Sequence, residues 1–153
     1  MTAIPTVVQR ADPDGVEHIL RSLPEWFGID EAIAHYVAQS AILESHIAVD
    51  EHGATIGVVL VERHFPESAE IALIAVHGSH RGAGVGRLLI RSAETSLMAD
   101  DCAFLEAHTV GPSYEHKGYA ATRAFYKSVG FSPLHEFDAL DWDGPTLVMI
   151  KKL

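Results

Sequence analysis

Residues Ile71-Ala-Leu-Ile-Ala-Val-His-Gly-Ser-His-Arg-Gly-Ala-Gly-Val-Gly-Arg-Leu-Leu-Ile90 decide the fold. An apolar run ending at Ala75-Val76 predicts a strand, and a turn follows. A basic glycine-rich loop then runs directly into an amphipathic helix. That order gathers exposed backbone N–H groups, the positive end of a helix dipole and arginines at one point, a combination suited to an anionic phosphate ligand. Gly82, Gly84 and Gly86 keep Cβ atoms away, so the backbone can approach such a ligand closely.

Two familiar phosphate loops do not fit. A nucleoside-triphosphate loop requires G-x-x-x-x-G-K-[ST], whereas Gly86 is followed by Arg87-Leu88. A dinucleotide fingerprint requires G-x-G-x-x-G, and Gly82-Ala-Gly84-Val-Gly86 has its third glycine one position early. The acidic pair Asp100-Asp101 precedes the next strand, whereas a ribose-binding acid would follow one.

What remains is R-x-x-G-x-G, Arg81-Gly-Ala-Gly84-Val-Gly86, which resembles the acyl-CoA pyrophosphate loop of the GNAT superfamily of N-acetyltransferases. A second segment, Ala120-Ala-Thr-Arg-Ala-Phe-Tyr126-Lys-Ser-Val-Gly130-Phe131, is similar to that family's later helix with its F-Y-x-x-x-G-F ending. The two motifs stand in the family's order with one predicted strand between them. Tyr119 and Thr122 occupy positions where many members carry Asn and Ala.

Composition is compatible with this. The chain has 153 residues and is 48% hydrophobic, enough for one globular domain, 1–153, with a sizeable core. No apolar run approaches the about 20 residues of a membrane span, and Met1-Thr-Ala-Ile-Pro lacks a basic leader with an apolar core. The single Cys102 excludes an internal disulfide; it is expected inside a strand as a buried thiol, and a cytoplasmic location fits. A net charge of −10 argues against nucleic acid and is compatible with a cationic substrate. Arg81, Arg87, Arg91, Arg123 and Lys127 nevertheless cluster around the two motifs, as a site for polyanionic acetyl-CoA would need.

The expected organisation has no repeats and no linker. Thr6–Arg10 reads as an opening strand. Asp12-Pro13 looks like a helix start, with Asp as N-cap and Pro at the first position. A second helix is expected from Asp30 to Ile42, on the spacing of Ile33, Tyr36, Val37 and Ala41. Strands Ser45–Val49 and Thr55–Val61 join through Asp50–Gly53. Further strands are expected at Glu70–Val76, Ala103–Ala107, Phe131–Ala139 and Thr146–Lys151. The helix after the glycine loop buries Val85, Leu88, Leu89, Ser92, Ala93 and Ser96, and Tyr119–Val129 ends at Gly130, a natural C′ residue. The sum is α+β: a mixed central sheet of six to seven strands flanked by about four helices, the single-domain fold the resemblance implies.

The resemblance also implies chemistry. Such an enzyme catalyses direct attack of a primary amine on acetyl-CoA, with no covalent enzyme intermediate. Tyr126 matches the signature tyrosine expected to protonate the leaving thiolate, which a phenol with a pKa near 10 can do. Ile74, Ala75 and Val76 would pair through their backbone with pantetheine. Arg81, Gly82, Ala83, Gly84, Val85 and Gly86 would wrap the pyrophosphate, with Arg87 adding charge. Glu70 is the candidate general base; Glu106 and His108, on one face of the next strand by period-two alternation, are alternatives, as is water.

The ten histidines carry no metal-site spacing: His77 and His80 flank a turn, and His18, His35, His46, His52, His64, His116 and His135 are scattered. No metal is expected. Trp26, Phe27, Tyr36, Ser113, Tyr114 and Glu115 are candidates for the acceptor pocket of a small-molecule or peptide amine. Asp141 and Asp143, around Trp142, are either amine-attracting groups or a plain turn. A closing strand such as Thr146–Ile150 could pair across a two-fold axis to give a homodimer. The competing reading is a non-catalytic acyl-CoA-binding sensor, which would need the phosphate loop but not Tyr126.

Overall fold

The computed structural model describes residues 4–153. The elements run β1 (Thr6–Gln9), α1 (Pro13–Arg21), α2 (Asp30–Ser40), β2 (Glu44–Val49), β3 (Thr55–Phe65), β4 (Ser68–Val76), a 3₁₀ turn (Gly78–His80), α3 (Val85–Ala99), β5 (Phe104–Val110), α4 (Lys117–Ser128), β6 (Ser132–Phe137) and β7 (Thr146–Lys152). Four helices thus accompany one mixed seven-stranded sheet of order β1-β2-β3-β4-β5-β7-β6. The β4–β5 pair is parallel, while β1–β2, β2–β3, β5–β7 and β6–β7 are antiparallel. Contacts gather into two compact units: residues up to Glu62 with Ala72–Ser96, and Arg63–Ile71 with Leu97–Leu153.

In the first unit, Asp12 caps α1 by accepting from Gly15 N at 3.1 Å, and Pro13 takes the first helical position. Val16, Ile19 and Leu20 fall on one helix face and are fully buried. They join Leu23, Ile33, Ile47, Val58, Leu60 and Leu73 in one apolar cluster. Helix α2 stops at Ser40, two residues before the expected Ile42. The Ser40 hydroxyl donates to Val37 O at 2.6 Å, and Ala41 N and Ile42 N bond three residues back, tightening the last turn. Ile42 is left exposed, so its apolarity did not mark helix continuation.

In the second unit, β5 extends to Val110 because β7 pairs with it along its full length, from Phe104↔Lys152 to Val110↔Thr146. Leu105, Ala107, Phe131, Leu147 and Met149 are buried here. Helix α4 ends as expected, with Gly130 at φ 101°. Two expectations are corrected. Cys102 lies two residues before β5 rather than within a strand; it is buried, with Sγ 3.6 Å from Phe104 O. Strand β7 is flanked by β5 and β6, so Thr146–Ile150 offers no free edge for a dimer; β6 is the outer strand. The sequence hid this because β7 is the more apolar strand and last in the chain, yet it inserts between its predecessors.

Candidate functional site

The glycine loop leaves β4 through the Gly78–His80 turn and enters α3 at Val85. Gly82 (φ 78°) and Gly84 (φ 83°) sit in the left-handed region that side chains disfavour. A Cβ built on either meets no protein atom within 4 Å, so the space beside them is open. A backbone held in this conformation against open space fits a ligand lying on the loop. Gly86 lies inside the first turn of α3, with no positive φ. Val85 is buried, so only its main chain can serve a phosphate. Gly57 of β3 receives it; a Cβ there would lie 2.9 Å from Val85 Cγ1 and 3.0 Å from Leu89 Cδ1.

Of the expected basic residues, Arg87 and Arg91 are exposed on α3. Arg81 places its guanidinium 4.3 Å from the centre of the Trp26 ring, a cation–π contact. Trp26, Phe27 and Tyr36 pack against the apolar cluster of the first unit. Trp26 also carries Arg81. Arg123 is committed elsewhere, donating to Val110 O at 2.7 Å and tying α4 to the end of β5.

Strand β4 carries the expected pantetheine residues Ile74, Ala75 and Val76. Its register with β5 runs from Ser68↔Phe104 to Ile71↔Ala107 and ends there. Beyond Ala107, β5 continues in register with β7 alone among the described pairings.

The second unit holds the candidate bases. The parallel register sets Glu70 opposite Glu106, and alternation brings His108 onto the same face. His108 Nε2 lies 2.7 Å from Glu106 Oε1 and its Nδ1 2.8 Å from Asp141 Oδ2. Glu70 Oε2 is 3.9 Å from His108 Nδ1, and Glu70 Oε1 is 2.8 Å from His64 Nε2. Burial alone would lower the His108 pKa; hydrogen bonds to Asp141 and Glu106 and the charge of Glu70 outweigh it, and the ring titrates above its ordinary value. The structure thus brings Glu106 and His108 onto one face, as the period-two reading requires, and the parallel register adds Glu70. It adds Asp141, marked in the sequence only as a possible amine-attracting group or a plain turn, and His64, which no local pattern marks. Glu70, Glu106 and His108 each also offer one ligand atom, all within 4.8 Å of one another, a spacing a divalent cation could use.

Tyr126 is 4% exposed on the inner face of α4, its ring 5.3 Å from that of Phe131. The loop before α4 is closed by its own contacts: Ser113 donates from N and Oγ to Glu136 Oε1, and Tyr114 meets Trp142 edge-on at 5.6 Å. His116 caps α4 by accepting from Gly118 N. Of the other histidines, His46 is buried with Nδ1 2.7 Å from Ser92 Oγ, and His77 stacks on His18 at 5.0 Å.

A parallel β4–β5 pair within a mixed sheet, with a glycine loop leading from β4 into a helix, is the α+β arrangement that the acetyltransferase resemblance implies. The sequence profile of the acetyltransferase (GNAT) domain matches residues 42–133, more than half the chain. The protein belongs to the GNAT acetyltransferase family, a family of enzymes. Solved structures agree. A Desulfovibrio desulfuricans protein assigned to the GNAT family superposes with TM-score 0.76 at 18% identity, covering 97% of this chain and 99% of its own. The ribosomal-protein-S18-alanine N-acetyltransferase of Escherichia coli gives 0.76 at 16%, covering 97% and 94%. A GNAT acetyltransferase from Elizabethkingia anophelis, with acetyl-CoA bound, gives 0.73 at 16%, covering 97% and 98%. At such identities the likeness establishes the fold. Among curated proteins, none matches the sequence significantly. No helix among the described residues is long and apolar enough to cross a membrane.

Proposed function

We propose that residues 1–153 form one N-acetyltransferase domain that moves an acetyl group from acetyl-CoA to a primary amine. The observation that carries this is the loop: two left-handed glycines facing open space, immediately before α3, within a chain of this family. Backbone N–H groups at a helix N-terminus would hold the pyrophosphate, with Arg81 and Arg87 adding positive charge. The backbone of Ile74, Ala75 and Val76 would receive pantetheine as an added strand.

The reaction needs three proton movements. The acceptor ammonium gives a proton to Glu70, and the freed nitrogen lone pair attacks the thioester carbon. As the tetrahedral intermediate collapses, the C–S bond breaks, the thiolate takes a proton from Tyr126, and the second proton of the attacking nitrogen leaves and restores the Tyr126 phenol. The products are the N-acetylated amine and free CoA. No nucleophilic side chain is required, and buried Cys102 takes no part. A reduced thiol is compatible with a cytoplasmic setting.

The test is Tyr126→Phe. The ring would stay seated against Phe131, so CoA affinity should persist, while thiol release falls by about 10²-fold or more, the usual worth of a positioned proton donor. A pure acyl-CoA sensor would show no turnover before or after the change.

A further inference from the structure

Helix α1 and the residues just after it meet the turn that delivers the glycine loop at three places, all inside the first unit. The His18 ring stacks on His77, with centroids 5.0 Å apart. Ser22 Oγ accepts from Gly78 N at 3.0 Å. The Trp26 ring faces the Arg81 guanidinium, whose central carbon is 4.3 Å from the ring centre. Positions 18, 22 and 26 thus run alongside His77, Gly78 and Arg81 in the same order, ending at the first residue of the loop motif.

The two members of the last pair differ in freedom. Trp26 is anchored: its N–H bonds Leu23 O at 3.1 Å, the N–H of Phe27 bonds the same carbonyl at 2.9 Å, and the ring packs half-buried against the apolar cluster. Arg81 is exposed and carries a long side chain that loses rotamer freedom when a ligand fixes it. A rigid ring against a mobile guanidinium removes much of that freedom before any ligand arrives. Stacking engages the face of the guanidinium, whereas its five N–H donors lie in its plane and stay available. A carboxylate in the place of Trp26 would compete with a phosphate for those donors, and a ring does not.

We infer that Trp26 is a positioning residue for the donor's phosphates: its ring holds the Arg81 guanidinium in place with the N–H edge free for a phosphate oxygen. The inference rests on the loop reading above, and it requires that acetyl-CoA bind but not that it turn over. A cation–π contact at an exposed site is worth about two- to fivefold in an equilibrium, and that is the share of acetyl-CoA affinity assigned to Trp26. The pantetheine and acetyl parts of the ligand gain nothing from Arg81, so a thioester without phosphates should be indifferent to the ring.

The experiment measures by calorimetry the affinities of acetyl-CoA and of S-acetyl-pantetheine, the same thioester without its phosphates and nucleoside. The proteins are wild type, Trp26→Leu, Trp26→Phe, Arg81→Gln, and each Trp26 variant combined with Arg81→Gln. We expect Trp26→Leu to bind acetyl-CoA about two- to fivefold more weakly, with Trp26→Phe between, because phenylalanine offers the poorer face. Affinity for S-acetyl-pantetheine should stay level across the series. Arg81→Gln should cost more acetyl-CoA affinity in wild type than in either Trp26 variant, as a coupled pair requires. Equal losses for the two ligands would make Trp26 a packing residue only and overturn the inference. Additive losses would overturn it too, as would tighter acetyl-CoA binding in Trp26→Leu, since the ring would then be withdrawing Arg81 from the phosphates. Trp26→Phe retains an aromatic side chain in the cluster, so it carries the same comparison if Trp26→Leu does not fold. All of these results leave the loop reading standing. Failure of wild type to bind acetyl-CoA would instead overturn that reading and this inference with it.

Discussion

Replacing Gly57 with alanine tests how the phosphate loop is positioned, at a residue outside the loop. Gly57 lies in β3 opposite Ala48, and its missing side chain is the seat for the first turn of α3. An added Cβ would stand 2.9 Å from Val85 Cγ1, 3.0 Å from Leu89 Cδ1 and 3.4 Å from Ala48 Cβ. The two α3 contacts are tighter than ordinary van der Waals distance by several tenths of an ångström. Val85 and Leu89 are almost fully buried and cannot turn aside, so the strain passes to the helix backbone. Overpacking of this kind costs about 1–3 kcal/mol, which for a domain of this size lowers Tm by roughly 2–12 °C. Because Val85 follows Gly84 directly, shifting α3 also shifts the loop. Acetyl-CoA affinity should fall along with stability, both read by calorimetry. Val85→Ala on the Gly57→Ala background removes the nearer contact and should recover part of both losses as a non-additive pair. Unchanged Tm and unchanged affinity in Gly57→Ala would refute the seating of α3 on this glycine.

Gly84→Ala introduces a side chain that no protein atom would meet, at φ 83°. The left-handed strain, about 1–2 kcal/mol, should weaken acetyl-CoA binding roughly tenfold in a titration; undiminished affinity would show that the loop's conformation is not what the ligand uses. The raised pKa of His108 makes a signed stability prediction. Its contribution is fully present below the ordinary histidine value of about 6.5 and is lost as pH rises through the higher folded-state value. His108→Gln should therefore lower Tm more in mildly acidic buffer than in alkaline buffer, and the reverse order would contradict the clamp. The Glu70, Glu106 and His108 ligand atoms raise the question of metal dependence, and chelation answers it. Proton transfer through these groups needs no ion, so thiol release should survive chelator treatment and dialysis; activity lost to chelator and restored by a divalent ion would make the cluster a metal site.

The features legible in the sequence were those in which one backbone conformation demands one residue type. Asp12-Pro13 announced α1, Gly130 the end of α4, and Gly82 and Gly84 the loop, because each signal lies within a few residues of what it controls. Gly86, next to them, is a helix residue without a positive φ, so its place in the motif does not follow from backbone conformation. The sheet was harder. Periodicity found all seven strands but could not show that β7 enters between β5 and β6, because hydrophobic pattern records burial and not neighbours. At the site, Glu106 and His108 share a face by alternation alone, but setting Glu70 opposite Glu106 required the parallel register. Asp141 was marked only as an acid in a polar turn and His64 not at all: each makes a contact set by the fold, and such an acid looks the same whether or not a histidine lies beside it.

The central claim is acetyl transfer from a CoA thioester bound on the glycine loop. Titrating acetyl-CoA into the protein by calorimetry, then following free-thiol release in the same sample over a panel of primary amines, tests it most directly. The account predicts saturable binding and thiol release that depends on the amine. No binding of acetyl-CoA would contradict the loop assignment, and binding without release from any amine would contradict the transferase.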